Sequence, residues 1–277
     1  MTGNVSTGGP RIQRLGIILS SNPKNKSTNI SGVFLKFISA FVLTSLLVLS
    51  SAHAQEPTLE SAIETYKART ELQNHIDAWQ AFVLIADAQP DNQQAQLWCA
   101  RTSFFLAHRL IQNRKKADGA KTAKSGIECS LRLAKSKPYD GRYWELMNRY
   151  KAAATMNLVK AFKAAKPMKE ALEQLIAMDP ERHEGYVFLA MAYRELPSGI
   201  SWGDNAKALE YARKGQERAP KDPEAILELA ECLKANGKKD EARKYYDAVI
   251  NDSVAPRDLE WETGDARRWA KRQMKQL

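Results

Sequence analysis

From Leu59 to the carboxyl end, apolar residues recur at helical spacing, and four prolines cut the run at Pro90, Pro138, Pro180 and Pro220. Proline fixes φ and has no amide proton to donate, so each one halts a helix and opens a link: QPDN, KPYD, DPER, APKDP. Twelve residues before three of these prolines stand small residues, Ala78, Gly126 and Ala208, with Met168 the departure. A small residue there lets two helices approach closely. Large residues follow the prolines: Trp144, Tyr186 and Ile226 six positions on, and Trp98 eight on. A large knob and a small hole at a repeating interval describe helix pairs that bury their apolar faces only by stacking. Val and Ile never alternate in a strand pattern. The expectation is an all-α chain, an array of helical hairpins forming a right-handed α-solenoid.

The array does not begin at Met1. Residues 1–31 are rich in Gly, Ser and Asn and carry Arg11, Arg14, Lys24 and Lys26 without an acid. Lys36 then precedes an apolar run, Phe37 to Leu49, that is short for a membrane span of roughly 20 residues. Ala52-His53-Ala54 follows as a small-residue cleavage motif. The expectation is a signal peptide over residues 1–54, with a long leader, cut after Ala54. The remaining domain covers 55–277, and the compartment is periplasmic or secreted in a bacterium. Membrane contact is expected only through an uncleaved leader.

Removing the leader changes the charge argument. All 32 acids lie beyond it, with 37 of the 42 Lys and Arg, so +10 falls to 37 minus 32, or +5. These charges alternate in sign along helix faces and do not gather into a basic stripe, which argues against a nucleic-acid partner. Of three cysteines, Cys99 and Cys129 fall in successive expected helices and can pair, although spacing alone does not fix connectivity. Cys232, in LAECLKA, reads as a small core residue.

Five helix pairs fit the pattern: about 59–88, 94–136, 142–178, 184–219 and 223–252. YWELMNRYKAAATMNLVKAFKAA reads as one long helix. The intervals between prolines are 48, 42 and 40 residues, beyond the roughly 34 of a tetratricopeptide unit. The excess is expected between the helices of a pair, at IQNRKKADGAKTAKS and LPSGISWGD. The tail, with Leu259, Trp261, Ala266, Trp269 and Met274 as apolar anchors, reads as a C-terminal capping helix.

The segment YVFLAMAYRELP…WGDNAKALEYARKGQERAPKDPEAILELAECL resembles tetratricopeptide-repeat proteins. With QLWCARTSFFLAHRL and SGIECSLRLAKSKPYDGRYW, the chain is similar over about 58–277 to the T-component family of TRAP transporters. That resemblance implies a tetratricopeptide-like fold and a part in periplasmic solute uptake, docked with a solute-binding protein. The family's members are mostly lipoproteins, and here no lipid-accepting cysteine follows the leader.

Catalytic signatures are missing. No Walker loop, G-x-S-x-G or dinucleotide glycine pattern occurs, and His75, His108 and His183 stand far apart. Neither a cofactor nor a metal is expected, and the chain reads as a non-enzyme. The inner surface of the array is the expected site. Ser103, Arg142, Glu145, Arg149, Met191, Arg194, Glu224 and Glu231 are its candidates. Arg142, Arg149 and Arg194 together would clamp a carboxylate or an acidic peptide, and the same residues also fit as ordinary ion pairs with nearby glutamates. Trp202, outside helix periodicity, would close over a groove or plug a neighbouring repeat. The expected partner is a solute-binding or other envelope protein, a small organic ligand, or a second copy of the chain. The alternative function is an envelope scaffold that holds a partner peptide or helix in the concave groove.

Overall fold

Helix pairing follows the proline rhythm. α1 (Leu59–Lys67) pairs with α2 (Leu72–Ala88), α3 (Gln93–Gln112) with α4 (Lys116–Leu133), and α5 (Pro138–Ala153) with α6 (Leu158–Met178). α7 (Glu184–Glu195) pairs with α8 (Asn205–Arg218) and α9 (Pro223–Ala235) with α10 (Lys239–Asn251), before a final α11 (Glu260–Met274). The computed structural model describes residues 56–256 and 258–277. All belong to one compact unit, Ala54–Leu277. The expected signal peptide and its cleavage site at Ala54 lie outside the described residues. Among those described there is no β-strand, and the architecture is an all-α helical-repeat solenoid.

Local chemistry sets the helix starts. Thr58 and Ser61 form a reciprocal capping box at α1, each side chain accepting from the other's amide at 3.0–3.1 Å. Asn92, Asp204 and Asp222 each accept from two amides of the first turn of α3, α8 and α9. Pro138 and Pro223 sit in the first turn of their helices, where the missing amide proton costs nothing.

Several expectations are corrected. Pro138 opens α5 and does not lie in a link. IQNRKKADGAKTAKS is not an inserted turn: the excess is helix length, α3 and α4 having 20 and 18 residues against 13 each in α9 and α10. The segment expected as one long helix breaks after Ala153, and Asn157 caps the new helix by accepting from the Lys160 amide at 3.0 Å. LPSGISWGD is a true loop. Its Gly203 is forced, because a Cβ there would lie 1.7 Å from the Leu196 carbonyl oxygen.

Two apolar clusters make the core. One joins Tyr66, Phe82 and Trp98 of the first helices with Cys99 and Cys129; the other runs from Phe104 to Ala270. Trp144 packs against both and makes the interior continuous. Cys99 and Cys129 are joined by a disulfide across the α3–α4 hairpin, with Cα atoms 6.0 Å apart. Cys232 is a free thiol, wholly buried. α3 touches α5 and α7 touches α9, whereas the even-numbered helices scarcely meet one another, so the array curves with its odd-numbered helices inside.

The terminal helix does more than cover the last pair. Ala270 joins the large core cluster, but the other buried positions of α11 are Thr263 and Gln273. Of the anchors expected there, Ala266 and Met274 pack partly buried against that cluster, and the two tryptophans are corrected. Trp269 is 43% exposed, and Trp261 lies among the guanidiniums of Arg69, Arg109 and Arg268, 5.4–5.8 Å from its ring centre. The amino end of α11 reaches the first hairpin, where Tyr66 and Arg69 donate to the Glu262 carboxylate at 2.8 and 2.9 Å.

Candidate binding surface

Helical spacing places the side chains of α5 in two opposed sets. Arg142, Glu145 and Arg149 share one face, as their spacing of three and four requires. Glu145 is 5% exposed and accepts from Arg142 at 2.8 Å and Arg149 at 2.7 Å. Burial alone would raise its carboxyl, and the two guanidiniums outweigh it and hold the group below the usual range. These residues line a cleft of about 450 Å³ with Ile127 of α4 and Met156, Ala164, Pro167, Met168 and Ala171. The face therefore looks into the gap between α4, α5 and α6, not onto the inner surface. Two residues beyond Arg149, about 200° round the helix, Lys151 turns the other way.

The three arginines do not converge. Arg194 makes a bidentate pair with Glu228 of α9 at 2.8 and 2.9 Å, with Glu195 at 3.5 Å. Burial would lower its pKa, and the Glu228 hydrogen bonds and charge raise it instead, so this cation is committed to joining α7 to α9. Ser103 is buried and accepts from Trp79 Nε1 at 3.0 Å. Met191 packs partly buried against the core. Glu231 accepts from Trp269 Nε1 at 2.6 Å, beneath α11. Trp202 donates from Nε1 to the Ala165 carbonyl of α6 at 3.0 Å and meets Tyr193 edge-on at 4.9 Å. It is thereby packed between α6 and α7.

The inner face is built by other residues. Lys151 Nζ stands 3.2 Å from His108 Nδ1, and 4.9 and 4.7 Å from the ring centres of Phe104 and Tyr150. Burial lowers its pKa to about 8, against the pull of Glu195 and Glu224. Burial and the Lys151 charge take His108 down to about 4, so at neutral pH its imidazole is uncharged and accepts from the ammonium. Glu224 keeps open surface at the start of α9. Surrounding protein and the charge of Asp222 nevertheless lift its carboxyl to about 7, with Glu262 adding to the shift and His183 and Lys151 opposing it.

The tail packs against the first hairpin and α3. The Asp258 carbonyl accepts from Arg101 at 2.8 Å and Arg69 at 3.4 Å. Arg101 also stacks on Trp98, 4.5 Å from its ring centre. Both belong to the L-W-x-A-R opening of α3, whose arginine was legible as a motif but not as a clamp. No group of three or more His, Cys, Asp or Glu able to hold a metal occurs among the described residues.

The repeat geometry agrees with a tetratricopeptide-like fold. A sequence profile described as tetratricopeptide repeat matches residues 201–257. Among solved structures, a thermophilic TPR protein of Thermus thermophilus, TTC0263, shares the fold with a TM-score of 0.53 at 16% identity, over 75% of this chain and 97% of its own. The MamA protein aligns over 74% of this chain and 92% of its own at 17% identity, but its TM-score of 0.34 is too low to argue from. No curated protein matches the sequence. The profile places a tetratricopeptide repeat at residues 201–257, and the architecture shared with the Thermus protein is a tetratricopeptide-like solenoid, which among the described residues comprises five helical hairpins closed by a C-terminal helix.

Proposed function

We propose that this protein is an exported docking scaffold whose inner face holds a segment of a partner protein. The observation that carries the reading is the chain's own tail. On the inner face Arg69 and Arg101 receive a backbone carbonyl, Tyr66 and Arg69 receive a carboxylate, and guanidiniums surround an indole. These are the contacts by which such a surface takes a foreign segment. Beside the tail, the Lys151 ammonium is placed for a partner's carboxylate. This reading makes the protein a scaffold of the cell envelope and not an enzyme. Assistance to solute uptake with a TRAP-type transporter is its narrower form. That form rests on sequence resemblance, and the L-W-x-A-R residues that carry it have a structural task here.

The test is affinity capture from an envelope extract of the source cell, read by mass spectrometry. Lys151→Glu is compared with the wild type and with the double variant Arg142→Ala/Arg149→Ala. The expected result is loss of the partner by Lys151→Glu and its retention by the arginine variant. The same partner on all three, or its loss only from the arginine variant, overturns the inner-face assignment. A solute-binding protein as the partner supports the narrower form.

A further inference from the structure

Between Leu146 and Lys169 the chain has six basic residues and no acid. Arg149 and Lys151 are engaged as described, and Lys169 lies 3.6 Å from Glu173. The three between them, Lys160, Lys163 and Lys166, are exposed and take part in no ion pair among the described residues. They sit on the first half of α6, a half with little packing. Before Pro167 its only buried residue is Ala165; beyond it Met168, Ala171, Leu172 and Leu175 are buried. The turn that leads into it and its own first residues present Met156, Leu158 and Val159 at 44%, 66% and 79% exposure, so Val159 is the most exposed large apolar side chain described. Val159, Lys163 and Lys166 are spaced by four and seven, which puts the valine among the ammonium groups on one face.

We propose that this α5–α6 tip docks on an anionic lipid surface. Its charge and apolar tip complement such a surface in two ways. Leu158 and Val159 enter the boundary of the acyl region while lysine stems extend their charges to the headgroups. The cations are lysines on flexible stems with no guanidinium fork among them, which suits a diffuse field of phosphates better than fixed carboxylates on a protein. The apolar area is also small for a stable protein interface, which buries about 1,200 Å² or more. Docking here is weak, reversible and sensitive to salt. It leaves the inner face open, and so would hold the scaffold at a membrane while a partner is bound.

The full chain is tested with a probe that reports the tip alone, since the leader carries its own apolar run. Val159→Cys gives one accessible thiol for an environment-sensitive dye, because Cys99 and Cys129 are bonded and Cys232 is buried. Leu84→Cys, at a position 60% exposed on α2, is the control. Vesicles of phosphatidylcholine with a quarter phosphatidylglycerol should shift the dye at 159 to the blue and leave that at 84 unchanged. Pure phosphatidylcholine should shift neither. Adding Lys160→Glu/Lys163→Glu/Lys166→Glu should weaken the response about a hundredfold or more, each lysine near an anionic surface being worth about fivefold. Equal shifts at both positions, no shift at 159, or indifference to the charge reversal each overturn the proposal. Lysine-dependent binding of soluble polyglutamate with no shift on vesicles replaces it with an acidic protein partner.

Discussion

Arg69 and Glu262 stand 193 residues apart and form an ion pair whose side chains are 2% and 9% exposed. The first hairpin and the last helix of the array are thereby joined across its inner face. Burying two charges costs several kcal/mol per ion, so such a pair holds only while each partner keeps the other. Glu262→Ala should therefore destabilise the fold by about 3 kcal/mol, leaving a buried guanidinium with one fewer acceptor. In a cycle of the wild type, Arg69→Met, Glu262→Met and their double variant, the double should lose less than the sum of the two singles. Urea denaturation of the four proteins measures the coupling, and strict additivity would show that the pair does not act as a unit.

Gly126 marks where α4 meets α5. A Cβ at this position would lie 2.2 Å from Asn148 Oδ1, and Asn148 cannot swing aside cheaply because Nδ2 donates to the Ala100 and Trp144 carbonyls at 3.0 and 2.9 Å. Crowding thus outweighs the gain of up to about 1 kcal/mol that alanine offers over glycine inside a helix. Gly126→Ala should destabilise by about 1–3 kcal/mol. Gly264 in α11 is the contrast, since its added Cβ meets only the end of the Arg268 side chain at 3.4 Å. Gly264→Ala should leave stability unchanged or raise it. Melting curves that move both variants in the same direction would contradict the packing argument.

The same glycine shows what a sequence of this kind discloses. Ala78, Gly126 and Ala208 announce themselves by a small side chain at a fixed distance from the link, and all three are buried, but the close contact of Gly126 is with Asn148 of the following pair and not within its own. Helix pairs, most link prolines and the cap residues are local signals, and local periodicity carries them. The break at 154–157 was hidden because AAATM is good helical sequence and Asn157 alone marks the new start. Pro167 misleads in the other direction, since it lies inside α6. The inner face was the hardest part to see. Spacing showed that Arg142 and Arg149 share a side of α5, but which side faces inward depends on how neighbouring pairs stack. Lys151, two residues from Arg149, was passed over. No periodic signal connects Arg69 with Glu262, because the closure they make is a property of the whole superhelix.

His75 gives the fold a defined sensitivity to acid. It is fully buried in α2, edge-on to Tyr66 at 5.4 Å between ring centres, and neither ring nitrogen has a hydrogen-bond partner among the described residues. Burial first, then the positive charges of Arg109 and Arg69, lower its pKa from 6.5 to about 3. The unfolded chain therefore binds this proton more readily than the folded one. Its contribution to stability is fully present above pH 6.5 and drains away as the pH falls from there through 3, at up to about 1.4 kcal/mol per pH unit. His75→Leu removes the titrating group and two unsatisfied nitrogens while keeping an apolar side chain of similar size. Above pH 7 the variant should be as stable as the wild type or more so. Between pH 6 and 4 the difference in unfolding free energy should grow steadily in its favour. Carboxylates titrate in both proteins and cancel in that difference, so parallel stability curves over this range would mean that His75 is not held neutral in the fold.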